Sequence, residues 1–94
     1  MIKVIWTDSA LNDLRSIRDY IARDSVFYAE KFVEDVLSQT KKLEVFPKVG
    51  RIVPEKNSRS IREIIFGSYR IIYKVTDKVA YIVTIVHGKR MLEI

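Results

Sequence analysis

The sequence predicts a single α+β domain over residues 1–94, with elements in the order β-α-α-β-β-β and an antiparallel sheet packed against an N-terminal helical hairpin. Three observations predict it. Apolar residues recur at helical spacing through the first half of the chain. Pro47 and a loop rich in Gly, Pro and Ser end that regime. Beyond the loop the apolar period becomes two.

Ile2 to Trp6 reads as a short strand. Thr7 and Asp8 are N-cap residues for a helix running to about Ala22, whose apolar positions Ala10, Leu14, Ile17 and Ile21 share one face. Arg23-Asp24 breaks the pattern and Ser25 caps a second helix. There Ala29, Phe32, Val33, Val36, Leu37, Thr40 and Leu43 follow one stripe, and Pro47 stops the helix because proline cannot continue its ladder. Two helices so close in sequence pack as an antiparallel hairpin. Val49 to Ser60 is a loop by composition. Ile61–Phe66, Tyr69–Thr76 and Val79–His87 are strands rich in Ile, Val and Tyr, joined by turns at Gly67-Ser68 and Asp77-Lys78. The tail, Gly88 to Ile94, has no assigned pairing.

A two-residue turn at Asp77-Lys78 pairs Val75 with Ala80, Tyr73 with Ile82, Ile71 with Thr84 and Tyr69 with Val86, and this mostly apolar set faces the helices. Arg70, Ile72, Lys74, Tyr81, Val83, Ile85 and His87 then line the other face, joined by Ile61, Glu63 and Ile65. Arg62 falls on the core face beside Tyr73, so either its charged end reaches the edge or a bulge shifts the register. Trp6, Tyr69 and Tyr73 read as core residues with polar tips at the margin.

The chain is 48% hydrophobic and 31% charged, an ordinary globular balance. Without cysteine it has no disulfide, zinc–thiolate site or thiol nucleophile. One histidine and no carboxylate cluster at ligand spacing argue against a catalytic metal, and three glycines supply no phosphate-cradling loop, so no cofactor is expected. No apolar run approaches the ~20 residues of a membrane span, and the N-terminus lacks a signal-peptide pattern. A cytoplasmic protein without membrane contact is expected. Net charge is +5, unevenly placed: residues 1–47 hold seven Lys/Arg against eight Asp/Glu, and residues 48–94 hold ten against four. A basic C-terminal half suits a polyanionic or acidic partner, or serves solubility alone.

The segments IWTDSALNDLRSIRDYIA, LEVFPKVGR, IREIIFGSYRIIYKV and VAYIVTIVHGKRM resemble the RelE/ParE superfamily of toxins, also called plasmid-stabilisation proteins. The resemblance covers nearly the whole chain and rests on Pro47…Gly50-Arg51, Arg62-Glu63, Tyr69-Arg70…Tyr73 and His87-Gly88-Lys89-Arg90. It implies a toxin held in a hetero-oligomer with a cognate antitoxin. It also implies one of two targets. RelE-like members cut messenger RNA on the ribosome without metal, as mRNA interferases, whereas ParE-like members inhibit DNA gyrase.

Carried over residue by residue, the nuclease pattern is partly filled. Arg70 and Arg90 match the two arginines that stabilise charge at the scissile phosphate. The two lysines facing RNA in that pattern are here Ile61 and Glu63, and its terminal tyrosine would fall beyond Ile94. A related nuclease pattern uses a glutamate base, for which Glu55 could stand, and a histidine whose position here is Gly88, one residue after His87. The catalytic candidates are therefore Arg70, Arg90, His87 and Glu55. Three of them have a plainer reading: an ordering hydrogen bond for His87, a cross-sheet ion pair to Glu63 for Arg70, a solvated tail for Arg90. The preserved pieces look closer to the ParE-like side, so gyrase is the expected target; the alternatives are RelE-like cleavage of messenger RNA and a binding homologue without toxicity. Tyr20, Phe27 and Tyr28, exposed on the helical hairpin, are the expected antitoxin contacts, with an open sheet edge as the alternative place for the antitoxin segment.

Overall fold

In a computed structural model describing residues 1–90 and Leu92, the chain forms strand β1 (Lys3–Trp6), helices α1 (Asp8–Ala22) and α2 (Val26–Lys41), a 3₁₀ turn (Lys42–Glu44), and strands β2 (Arg51–Ile52), β3 (Ile61–Phe66), β4 (Tyr69–Val75) and β5 (Val79–His87). Both helix starts are set by the predicted caps. The Thr7 hydroxyl accepts from the Ala10 N–H at 3.1 Å and the Ser25 hydroxyl from the Tyr28 N–H at 3.2 Å. The second helix stops short of Pro47, tightening into the 3₁₀ turn after Lys41. That turn still buries Leu43.

The five strands lie in the order β1-β5-β4-β3-β2. From β2 to β5 the sheet is antiparallel as expected; β1 joins it parallel to β5, pairing Val4 with Ala80 and Trp6 with Ile82. The two-residue strand β2, inside the expected loop, pairs Arg51 with Glu63 and Ile52 with Arg62. Both helices cover one face of the sheet. Ala10, Leu14, Val36 and Leu43 pack there against Ile71, Tyr73, Ala80, Ile82 and Ile85. Leu37, expected on the buried stripe, is 44% exposed.

The expected β4–β5 register holds for three pairs and then fails. Val75 faces Ala80, Lys74 faces Tyr81 and Tyr73 faces Ile82, but Ile72 faces Thr84, so Val83 is extra. This bulge reverses every later side chain of β5. Ile85 therefore joins the core, and Val86 moves to the opposite face, where it packs with Ile72. His87 pairs with Tyr69 and turns away from the face assigned to it. The bulge is held from the helical layer. Thr7 donates to the Ile82 carbonyl at 2.8 Å, and one Asp13 oxygen accepts from the Thr84 hydroxyl at 2.5 Å and from the Ile85 N–H at 3.1 Å.

Arg62 stays in register opposite Tyr73, and its guanidinium leaves the core through the edge. It donates to the carbonyls of Gly50 at 2.9 Å and Arg59 at 3.0 Å, fastening the loop on either side of β2. On the sheet's outer face a second, smaller cluster forms from Val53, Ile72 and Leu92, with Ile61 and Val86 packed against it. The tail thus returns over the sheet at Leu92. Met91, Glu93 and Ile94 of the expected tail lie outside the described residues. Among the described residues no helix is long and apolar enough to cross a membrane.

Candidate functional site

The outer face of the sheet carries a charge cluster that the strand register assembles. Glu63 lies opposite Ile72 and Arg70 opposite Ile65, so the two are diagonal neighbours on one face, and β2 sets Arg51 directly against Glu63. The loop after β2 supplies Glu55. The result is a chain of alternating charge, Arg51–Glu63–Arg70–Glu55. Arg70 donates from Nε to Glu63 at 2.6 Å, and its two terminal nitrogens grip both oxygens of Glu55 at 2.8 Å each. One of them also donates to the Arg90 carbonyl at 3.2 Å. Arg51 bonds the other Glu63 oxygen.

Four of the five guanidinium N–H groups of Arg70 are thereby used. Its side chain is 6% exposed and that of Glu63 is wholly buried. Two charges this deep persist only when each is paired and hydrogen-bonded, and no buried side-chain nitrogen or oxygen among the described residues lacks a partner. The cluster also ties down the tail. Glu55 accepts from the Leu92 N–H at 3.1 Å while the Leu92 side chain closes the outer cluster.

Hydrogen bonding from Arg70 holds the Glu55 carboxyl well below its ordinary value, at about 2, with further help from the Leu92 N–H and the Arg70 charge against an opposing desolvation. The same hydrogen bonds push the Arg70 guanidinium still further into its charged form. A carboxylate that holds its proton only near pH 2 is a poor general base at neutrality, because proton-transfer efficiency falls with basicity. A pH dependence follows. The lowered value means that the Glu55 contribution to tail anchoring is fully present above 4.5, its ordinary value, and is lost as pH falls from there towards about 2. Protection of the Leu92 amide, measured relative to its intrinsic exchange rate, should therefore hold down to about 4.5 and fall below it. Release already complete at that pH would show that Glu55 is not the anchor.

Around the cluster lies a cleft of about 650 Å³, walled by Arg51, Pro54, Glu55, Ile65, Gly88, Lys89 and Arg90, with Arg70 at its floor. The structure thus brings together three of the four catalytic candidates, Arg70, Glu55 and Arg90, although Arg90 meets Arg70 through its carbonyl. His87 stands apart. Its ring lies 5.9 Å from that of Tyr69, which itself contacts Phe32 of α2 at 5.4 Å, placing His87 at the helix-side rim. Tyr20, Phe27 and Tyr28 are 65%, 70% and 64% exposed at the tip of the hairpin, with the Phe27 and Tyr28 rings in edge contact at 5.3 Å. Arg51, Leu92 and Gly50 were not among the candidates. Gly50-Arg51 was visible as a motif, but nothing in the sequence showed that Arg51 would complete the pairing of Glu63. Among the described residues no group of three or more His, Cys, Asp or Glu could hold a metal.

Comparison with known proteins sets this geometry in a family. Residues 4–92 match the family described as the ParE toxin of type II toxin–antitoxin systems. The protein named Toxin RelE2 of Caulobacter vibrioides is 34% identical over 92 residues, covering 97% of this chain and all of that one. Among solved structures, a chain of the chromosomal ParDE toxin–antitoxin system from P. aeruginosa superposes with a TM-score of 0.77 at 25% identity, covering 95% of this chain and 98% of that one. A chain of the RelBE2 toxin–antitoxin complex from Mycobacterium tuberculosis shares the fold, with a TM-score of 0.61 at 19% identity over 92% of this chain and 96% of the other.

Proposed function

The chain belongs to the ParE toxin family of type II toxin–antitoxin systems, and on that premise we propose that it inhibits DNA gyrase and is neutralised by a cognate antitoxin. The relatives' names span both ParE and RelE, so the target is argued from residues. The observation that carries the reading is the saturation of Arg70. An arginine that stabilises a developing phosphorane must present free N–H groups where the charge appears. Here four are spent on protein acceptors beneath the surface. Cleavage by a neighbouring hydroxyl also needs a base and an acid. Glu55 is too weak a base, Ile61 and Glu63 stand where the nuclease pattern needs cations, and His87 lies on the other face. The cluster reads as a latch for the tail.

The antitoxin reading rests on the hairpin. Tyr20, Val26, Phe27 and Tyr28 leave an aromatic patch open on a domain too small to cover it, and such patches suit a partner segment that folds on binding.

The test of the target is a supercoiling assay with purified chain and its Glu55→Gln variant, which keeps the shape of the side chain. Both should inhibit gyrase, within about threefold of each other, as expected for a residue outside the chemistry. Supercoiling unaffected by either protein would remove gyrase as the target. Loss confined to the variant would make Glu55 a working group.

A further inference from the structure

The outer face of the sheet is covered at one end only. Val53 and Leu92 pack with Ile72 there, while Ile5 and Tyr81, towards β1, are 41% and 37% exposed. The strand registers decide which residues share the open end. Tyr81 lies opposite Ile5 on one side and Lys74 on the other, and Lys74 lies opposite Ile61. One row of the outer face therefore runs Ile5, Tyr81, Lys74, Ile61 across four strands. Lys3, opposite Val79, stands in the next row of this face in one direction. Arg51, opposite Glu63 and through it Ile72, stands in the next row in the other.

Lys3, Lys74 and Arg51 thus fall on one diagonal of the sheet. Each step along it crosses two strands and advances two residues, which at ~4.8 Å per strand and ~3.3 Å per residue is about 12 Å. All three side chains are exposed. Arg51 is held to Glu63 through Nε, and its two terminal nitrogens make no hydrogen bond among the described residues. The carboxylates of this face are already engaged: Glu63 binds Arg51 and Arg70, and Glu55 binds Arg70 and the Leu92 N–H. Among the described residues, Asp77 is the other carboxylate of the basic half, and it sits in the turn past the Lys3 row.

We infer that this face binds single-stranded DNA, laid along the diagonal with phosphates at Lys3, Lys74 and Arg51 and a base stacked on Tyr81 beside Ile5. This rests on the gyrase reading above, under which DNA is the target enzyme's substrate, and adds to it that the chain grips the strand itself. Evenly spaced cations suit a polymer with one charge per monomer better than an acidic protein surface. An exposed aromatic ring among such cations is the combination that single-strand binding uses. A duplex would reach the cations while its bases stay stacked on one another, away from Tyr81. A second copy of this chain would set lysine against lysine.

The experiment is fluorescence anisotropy of the full chain with a labelled thymidine decamer, repeated across a range of salt. The affinity should fall with salt along a log–log slope of about −2, as three phosphate contacts to a single strand require. Lys74→Gln should weaken binding and flatten the slope by about 0.7. Tyr81→Ser should weaken binding about tenfold at unchanged slope, and Tyr81→Phe, which keeps the ring, should restore it. Should Tyr81→Ser fail to fold, Lys3→Glu together with Lys74→Glu must abolish binding, since both side chains are exposed. Lys89→Gln, in the cleft and off the diagonal, should change neither affinity nor slope. A uridine decamer and a DNA duplex of the same length should bind no more tightly than the DNA strand. Tighter binding of either, a slope unmoved by Lys74→Gln, or loss on Lys89→Gln in its place would each overturn the inference. Supercoiling inhibited by a chain that leaves the decamer unbound would overturn it while the gyrase reading stands. Binding that follows the diagonal, in a chain without effect on supercoiling, would do the reverse.

Discussion

Replacing Arg70 by methionine should cost about 3–5 kcal/mol, the usual penalty for leaving a buried charge without its partner. A domain of this length has roughly 5–14 kcal/mol of stability in all, so the loss should be visible as a large fall in the denaturation midpoint. Glu63 causes the damage. Its side chain is wholly buried, and Arg70 supplies one of its two ion pairs. Adding Glu63→Leu to Arg70→Met should restore part of the stability, because an apolar pair replaces the buried Glu63–Arg70 pair, whereas Glu55, 17% exposed, loses both Arg70 bonds and keeps only the Leu92 N–H. Arg51, freed by the second change, is exposed and can return to water. Urea denaturation of the three proteins checks this. A single variant as stable as the wild type would show that the ion-pair chain does not hold the outer face.

Gly50→Ala should be the next most harmful change. A Cβ built there would stand 2.6 Å from the Glu63 carbonyl oxygen and 2.6 Å from the Tyr73 hydroxyl. Neither can yield cheaply. The carbonyl belongs to the β2–β3 ladder, and the Tyr73 hydroxyl, on a wholly buried ring, accepts from the Gly50 N–H at 2.8 Å. Overpacking together with a stranded buried hydroxyl suggests about 3–4 kcal/mol, and a fall in Tm on the order of 15 °C or more. Gly67 is the control. It has φ +57° and open space around it, so Gly67→Ala should cost only about 1 kcal/mol. Equal melting temperatures for the two variants would remove the close approach at Gly50 as the cause.

Structure was legible in the sequence where it is local. Caps at Thr7 and Ser25, and the turns at Gly67-Ser68 and Asp77-Lys78, are decided within a few residues, and so are the periods of the helices and strands. It was not legible where a distant residue decides. The bulge at Val83 depends on Thr7 and Asp13 reaching the β5 backbone from the helical layer, and no property of Val83 announces it. That one slip placed Ile85, Val86 and His87 on the wrong faces, and so put His87 beside Arg70. The diagonal pairing of Arg70 with Glu63 was legible because β3 and β4 are joined by a tight turn that fixes register. The contributions of Arg51, Glu55 and Leu92 were not, because they come from a two-residue strand, an irregular loop and a tail, none with a periodic signal. Arg62, expected either to reach the edge or to mark a bulge, reaches the edge and binds loop carbonyls.

In the proposed function the outer-face cluster is a structural latch and the target is gyrase. The measurement that tests it most directly runs two assays on one preparation of the purified chain, supercoiling by gyrase and transcript-end mapping on ribosome-bound messenger RNA. Lost supercoiling and intact message are the expected result. Codon-dependent cleavage with normal supercoiling would contradict it, and would mean that Arg70, although buried between two glutamates, still serves the scissile phosphate.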